Sequence, residues 1–148
     1  MIKEKKYFVS TVVLATVLLL IGLTYGLMQW THRIKNTATV KVVGVGIYKD
    51  VNFTVSVETI DWGILEPGET KNFSAYVKNE SNVPINLTMY TEDWQPENAS
   101  SFITLSWSYD GATVPVEGAV DVTFSLIVSE EVSGIESFNF VIVIVGAG

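Results

Sequence analysis

The chain has 148 residues, no cysteine, one histidine and a formal net charge of −7; that length holds one domain plus a short accessory segment. The missing cysteine excludes disulfides, thiolate metal sites and cysteine nucleophiles. Fifteen of the sixteen acidic residues lie at or beyond Asp50, where the only basic residues are Lys71 and Lys78, a balance that argues against nucleic acid and against close contact with anionic headgroups, since both need clustered Lys and Arg.

The chain opens with a short tail, residues 1–6, carrying Lys3, Lys5 and Lys6. No charged side chain follows until His32, and the 24-residue run from Tyr7 to Trp30 would reach roughly 36 Å as a helix, against about 30 Å of bilayer hydrocarbon. The pattern predicts one transmembrane helix over 7–30 in contact with membrane lipid, with Tyr7 and Trp30 as interfacial anchors and residues 1–6 on the cytoplasmic side. The domain then lies outside the cell membrane on a single-pass anchor. A cleaved signal peptide is the alternative, giving a protein secreted to the cell surface, although its apolar region is usually shorter and no small-residue cleavage site stands near Trp30.

Residues 31–39 are polar and mildly basic, as a stalk would be, and the domain is expected over 40–148. Beyond Val40 no stretch carries a useful helical period, whereas period-two alternation recurs between turn signals. Apolar residues alternate at Val51, Phe53, Val55 and Val57; at Phe73, Ala75 and Val77; and at Ile85, Leu87 and Met89. The same alternation follows at Ile103, Leu105, Trp107 and Tyr109, and at Val120, Val122, Phe124, Leu126 and Val128. The run from Phe138 to Val145 is apolar on both faces, which predicts a strand covered on both sides or paired with another chain. Pro67-Gly68, Asn79 to Pro84, Gln95-Pro96, Asp110-Gly111, Glu117-Gly118 and Ser133-Gly134 supply the breaks. Six or seven such strands with no helix to cover them predict an all-β, antiparallel sandwich of the immunoglobulin-like type.

Leu65-x-Pro67-Gly68-x-Thr70, the strand after it, and Lys78-Asn79-x-x-Asn82-x-Pro84 resemble the strand, turn, strand opening of bacterial and archaeal surface immunoglobulin-like domains. With Trp94-x-Pro96, Leu105-x-Trp107 and Gly134-Ile135-x-x-Phe138-x-Phe140, residues 50–148 are similar to small archaeal cell-surface proteins, some related to the TasA and camelysin biofilm-fibre group and to archaeal bundling pilins. The resemblance implies a fold more than a task. In the pilin relatives a segment near the mature N-terminus is donated as a strand to the next subunit. Its counterpart is Thr39 to Tyr48, containing Val40, Val42, Gly44 and Gly46; the same segment also reads as the domain's own first strand.

Chemistry-bearing constellations are few. His32 stands at the membrane edge, so a Ser-His-Asp triad or a histidine-ligated metal in the domain is not expected, and neither is a cofactor. Gly44-Val45-Gly46 lacks the third glycine and the helix that phosphate binding needs. Glu92, Asp93 and Glu97, and then Asp110, Glu117 and Asp121, form two acidic groups that read as solvated loop charge, with calcium as the sharper alternative. Trp107 and Trp62 are expected in the core, and Trp94 is the candidate carbohydrate platform.

Five N-x-Ser/Thr sequons stand at Asn52, Asn72, Asn79, Asn86 and Asn98, where chance gives roughly one or two. The alternation turns Asn52, Asn72 and Asn86 outward and places Asn79 and Asn98 in turns, which makes all five candidate N-glycosylation sites. The expected protein is therefore a non-enzymatic surface module that meets other surface proteins or copies of itself, with a fibre subunit assembled by strand donation as the alternative.

Overall fold

The computed structural model describes residues 34–148, with 41–43 described by their backbone alone. The predicted membrane segment with Tyr7 and Trp30, the tail before it and His32 lie outside the described residues. Among the described residues no helix is long and apolar enough to cross a membrane.

Eight strands follow one another as β1 (Ile34–Val43), β2 (Val45–Tyr48), β3 (Thr59–Leu65), β4 (Thr70–Asn79), β5 (Asn86–Gln95), β6 (Ile103–Trp107), β7 (Ala119–Val128) and β8 (Ser137–Ala147). A 3-10 helix, Glu97–Ser101, separates β5 from β6. The strands form two four-stranded sheets, ordered β3-β1-β8-β5 and β2-β4-β7-β6. Every pairing is antiparallel except that of β1 with β8, which runs parallel.

Alternation explains how the two sheets close on each other. Ala75 and Val77 of β4, Val122, Phe124, Leu126 and Val128 of β7, and Phe138, Phe140, Ile142 and Ile144 of β8 all point into one buried cluster. Residues two apart share a face, so each strand delivers one row of side chains to the core. β8 has a neighbour on each edge, and Val143 is also buried on its other face. Its doubly apolar sequence thus belongs to a central strand, whose outer face is buried at Val143 and half-buried at Val141 and Val145.

Three sequence expectations change. The segment read as a stalk is, from Ile34 onward, strand β1: Ile34, Asn36 and Ala38 are buried while Lys35, Thr37 and Thr39 are exposed. Small and polar inward residues hide that alternation. The candidate donor segment, Thr39 to Tyr48, forms the second half of β1 and then β2, with the break between sheets at Gly44, whose φ of 73° suits glycine.

The expected strand from Val51 to Val57 is instead a return loop. The Asp50 carboxylate accepts from the backbone N–H of Thr54 (3.0 Å) and Val55 (2.8 Å) and from the Thr54 hydroxyl (2.8 Å). That contact draws the chain into a turn with Phe53 at φ 57°, and leaves Val51 62% and Val55 52% exposed. A carboxylate competing for backbone donors outweighs a short alternating pattern.

Asn79, expected in a turn, ends β4 fully buried. Its Nδ2 donates to the carbonyls of Val83 (2.8 Å), Val114 (3.1 Å) and Pro115 (3.1 Å), and its Oδ1 accepts from the Ser81 N–H (2.8 Å) and hydroxyl (2.7 Å). One amide thereby fastens the 80–85 turn to the 114–118 loop, with its side-chain polar groups satisfied. Asn79→Ala should lower unfolding free energy by about 2–3 kcal/mol in urea titration, because buried partners lose their bonds. Asn98→Ala, at an exposed position of the 3-10 helix, should stay within about 0.5 kcal/mol of the parent.

Candidate functional site

The Trp94 loop offers the first candidate. Leu87, Met89 and Thr91 point inward along β5, but the register with β8 shifts between Glu92 and Gln95, and Asp93 has φ 54°. The bulge reverses the parity and turns Trp94 inward as well. Its indole lies flat on Phe140, with ring centroids 4.2 Å apart and planes 6° apart, and stacks on Phe138 at 6.1 Å. The indole N–H donates to the Thr91 hydroxyl at 3.1 Å. The ring face that meets Phe140 is therefore occupied by protein. What borders solvent is an open concavity of about 520 Å³ lined by Asp93, Trp94, Gln95, Glu97 and Ser100.

The other two tryptophans among the described residues are structural. Trp62 is buried, and Trp107 is half-buried with its ring centroid 6.0 Å from that of Phe124. A second concavity, of about 490 Å³, lies across β3, β1 and β8, where Lys35, Thr37, Asp61, Ser137 and Asn139 meet beside Gly63. Gly63 pairs with Asn36 and adds no side chain there. The two acidic groups do not converge: among the described residues no three His, Cys, Asp or Glu side chains come together as a metal ion would require.

A polar and aromatic cluster that no sequence motif marks stands where β2 meets the end of β4. The Tyr48 hydroxyl donates to Glu80 Oε1, Lys78 Nζ lies 2.9 Å from Glu117 Oε2, and the same ammonium sits 5.4 Å from the Phe53 ring centroid. Tyr48, Phe53 and Tyr76 meet edge to face, with centroids 5.5 and 6.4 Å apart along the row. Gly46 makes room for it, since a Cβ there would strike Glu80 Oε1 and the Tyr48 ring. Only the register brings these residues together: Tyr48 faces Tyr76, and Gly46 faces Lys78.

The hydrogen bond to Glu80, then burial and the Glu80 charge, raise the Tyr48 phenol above its usual 10.0. The salt bridge with Glu117 raises Lys78 above its usual value. Burial works against ionised Asp50, but the donors of Val55 and Thr54 prevail and hold its carboxyl below the ordinary range.

Of the five sequon asparagines, four are exposed: Asn52 in the return loop, Asn72 on the outer face of β4, Asn86 at the start of β5 and Asn98 in the 3-10 helix. They are spread over both sheets and two loops. Asn79 does not join them, since the nitrogen that would carry a glycan is held by three carbonyls.

The Tyr48–Glu80 bond gives a measurable sign. A phenol whose proton is held more tightly in the folded state contributes fully below the unfolded pKa near 10.0 and loses that contribution as pH rises through the folded value. One tyrosine should ionise above the ordinary range in an ultraviolet titration, and Glu80→Gln should bring it back down. Comparison with protein-family models and with curated proteins finds no match to this chain.

Proposed function

We propose that this chain is a membrane-anchored, extracytoplasmic module of the immunoglobulin-like type, without enzymatic activity, serving cell-surface structure, adhesion or attachment of other surface proteins. The observation that carries the reading is the placement of Asn52, Asn72, Asn86 and Asn98 at exposed positions around the sandwich. An N-x-Ser/Thr asparagine receives a glycan only on an exposed amide in an exported protein. The acidic surface fits a solvated, self-repelling module, and the uncharged run from Tyr7 to Trp30 supplies the tether. Glycopeptide mass spectrometry of native protein should find sugar at several of these four asparagines and none at Asn79, with peptides beginning near Met1. An intact mass equal to that of the bare polypeptide would remove the reading of exported glycoprotein.

Strand donation is the second reading, favoured by the position of β1. It runs parallel to β8 and antiparallel to β3, and those two strands meet only through it. An identical strand from a neighbouring copy would satisfy the same groups. Because the chain is free of cysteine, Thr39→Cys with Val141→Cys, which face each other in the β1–β8 register, separates the two cases. The disulfide should close within one chain for a tethered module. Ladders of linked chains on a non-reducing gel would establish donation.

A further inference from the structure

We propose that the Asn79 sequon gates folding: a sugar transferred to Asn79 before the 114–118 loop docks bars the native fold, so glycan transfer to the native protein follows closure of the domain. The inference rests on the glycoprotein reading above and adds to it the order of events.

By sequence the five sequons are equal, each an asparagine two residues before a serine or threonine. Transfer forms a bond from the amide nitrogen to the anomeric carbon of a phosphate-activated sugar. The carbon–oxygen bond to the phosphate breaks, the phosphate leaves with that electron pair, and one amide proton goes to a base. What remains is a secondary amide, with a single N–H and a sugar ring on the nitrogen. In the fold Asn79 Nδ2 uses both of its hydrogens, because the carbonyls of Val83, Val114 and Pro115 all lie within 3.1 Å of it, and the residue has no exposed surface. The hydroxyl of the sequon is engaged as well: Ser81 Oγ lies 2.7 Å from Asn79 Oδ1 and 2.9 Å from the Val83 carbonyl. A sugar on Nδ2 therefore cannot coexist with the docked loop.

The covering groups come late in the chain. Val114 and Pro115 stand 35 and 36 residues beyond Asn79, and the Gly118 carbonyl accepts from the Asn79 N–H at 2.8 Å. Reciprocal backbone bonds of Val114 with Ile85, at 3.0 and 2.8 Å, seat the loop. Its turn closes tightly at Gly118, where a Cβ would come within 2.9 Å of the Pro115 carbonyl oxygen. Until residues 114–118 are made and docked, only the local contacts with Ser81 and Val83 hold the Asn79 side chain. Docking then closes Asn79, while Asn52, Asn72, Asn86 and Asn98 stay exposed. A chain modified early also leaves Val77, Ile85 and Val114, all buried in the native fold, without their cover.

Cell-free synthesis of the full chain, with a bilayer present for its N-terminal segment, tests this. The probe is a glycan transferase that recognises N-x-Ser/Thr, together with its phosphate-activated oligosaccharide. In one arm both are present from the start of synthesis; in the other they are added after the chain has folded. Glycopeptide mass spectrometry before and after brief protease treatment reads where the sugar sits and whether its carrier is folded. Late addition should place sugar at exposed sequons and none at Asn79. Early addition should place sugar at Asn79 in a share of the chains, and protease should remove those chains while sparing chains modified only elsewhere. Sugar at Asn79 of a protease-resistant chain overturns the proposal, as does early transfer that reaches the exposed sequons and never Asn79. Sugar at none of the five in either arm removes the glycoprotein reading itself, and the proposal with it.

Discussion

β3 and β8 share no ladder; each is bonded to β1, so the backbone groups along one edge of both strands are satisfied only while Ile34–Val43 lies between them. Removing that strand would expose two edges at once and withdraw Ile34 and Ala38, both fully buried, from the core. Hydrogen bonds left unmade in a dry interior cost far more than a made bond contributes. The continuity of this sheet therefore depends on a segment whose composition is polar and unremarkable. Gly44 completes the arrangement, because its left-handed backbone lets the chain leave one sheet as β1 and enter the other as β2.

Polar side chains do the corresponding work outside the ladders. Asn79 ties two loops at one end of the sandwich, and Asp50 gathers the donors of the return loop. Lys71 reaches from β4 to the carbonyls of β3 and so bridges the two sheets where no β ladder can. The Tyr109 hydroxyl accepts from Leu87 N–H and donates to the Ala112 carbonyl at 2.6 Å, holding the loop after β6 against the edge of β5. In a small domain such contacts matter because the core alone leaves little margin against chain entropy.

The same economy shapes what the surface offers. The large aromatic rings are spent on packing: Trp62 is buried, Trp107 lies against Phe124, and Trp94 against Phe140. What faces solvent is a mixture of amides, hydroxyls and carboxylates with few lysines, interrupted by single apolar side chains such as Val51, Val55 and Val83. Such a surface favours solvation over capture of a small apolar ligand, which requires an enclosed apolar pocket.

Period-two alternation by itself determined much of this protein: the strands around Phe73–Val77, Ile85–Met89, Ile103–Trp107 and Val120–Val128, and which side of each faces the core; the strand around Phe138–Val145 was legible as an apolar run without a preferred face. Alternation is a local property of side chains on a pleated backbone, so it survives without knowledge of neighbours. Residues 34–39 escaped because Asn36 and Ala38 give little apolar contrast with the threonines beside them. The loop from Val51 to Val57 misled because Asp50 competes for its backbone, and Trp94 because a bulge reversed the parity of β5. Pairing was decided only in three dimensions. A strand's pattern says which face is buried but not which strand lies beside it. The parallel β1–β8 ladder, the burial of Asn79 inside a sequon and the meeting of Tyr48 with Glu80 all follow from who neighbours whom, a property that no single segment carries.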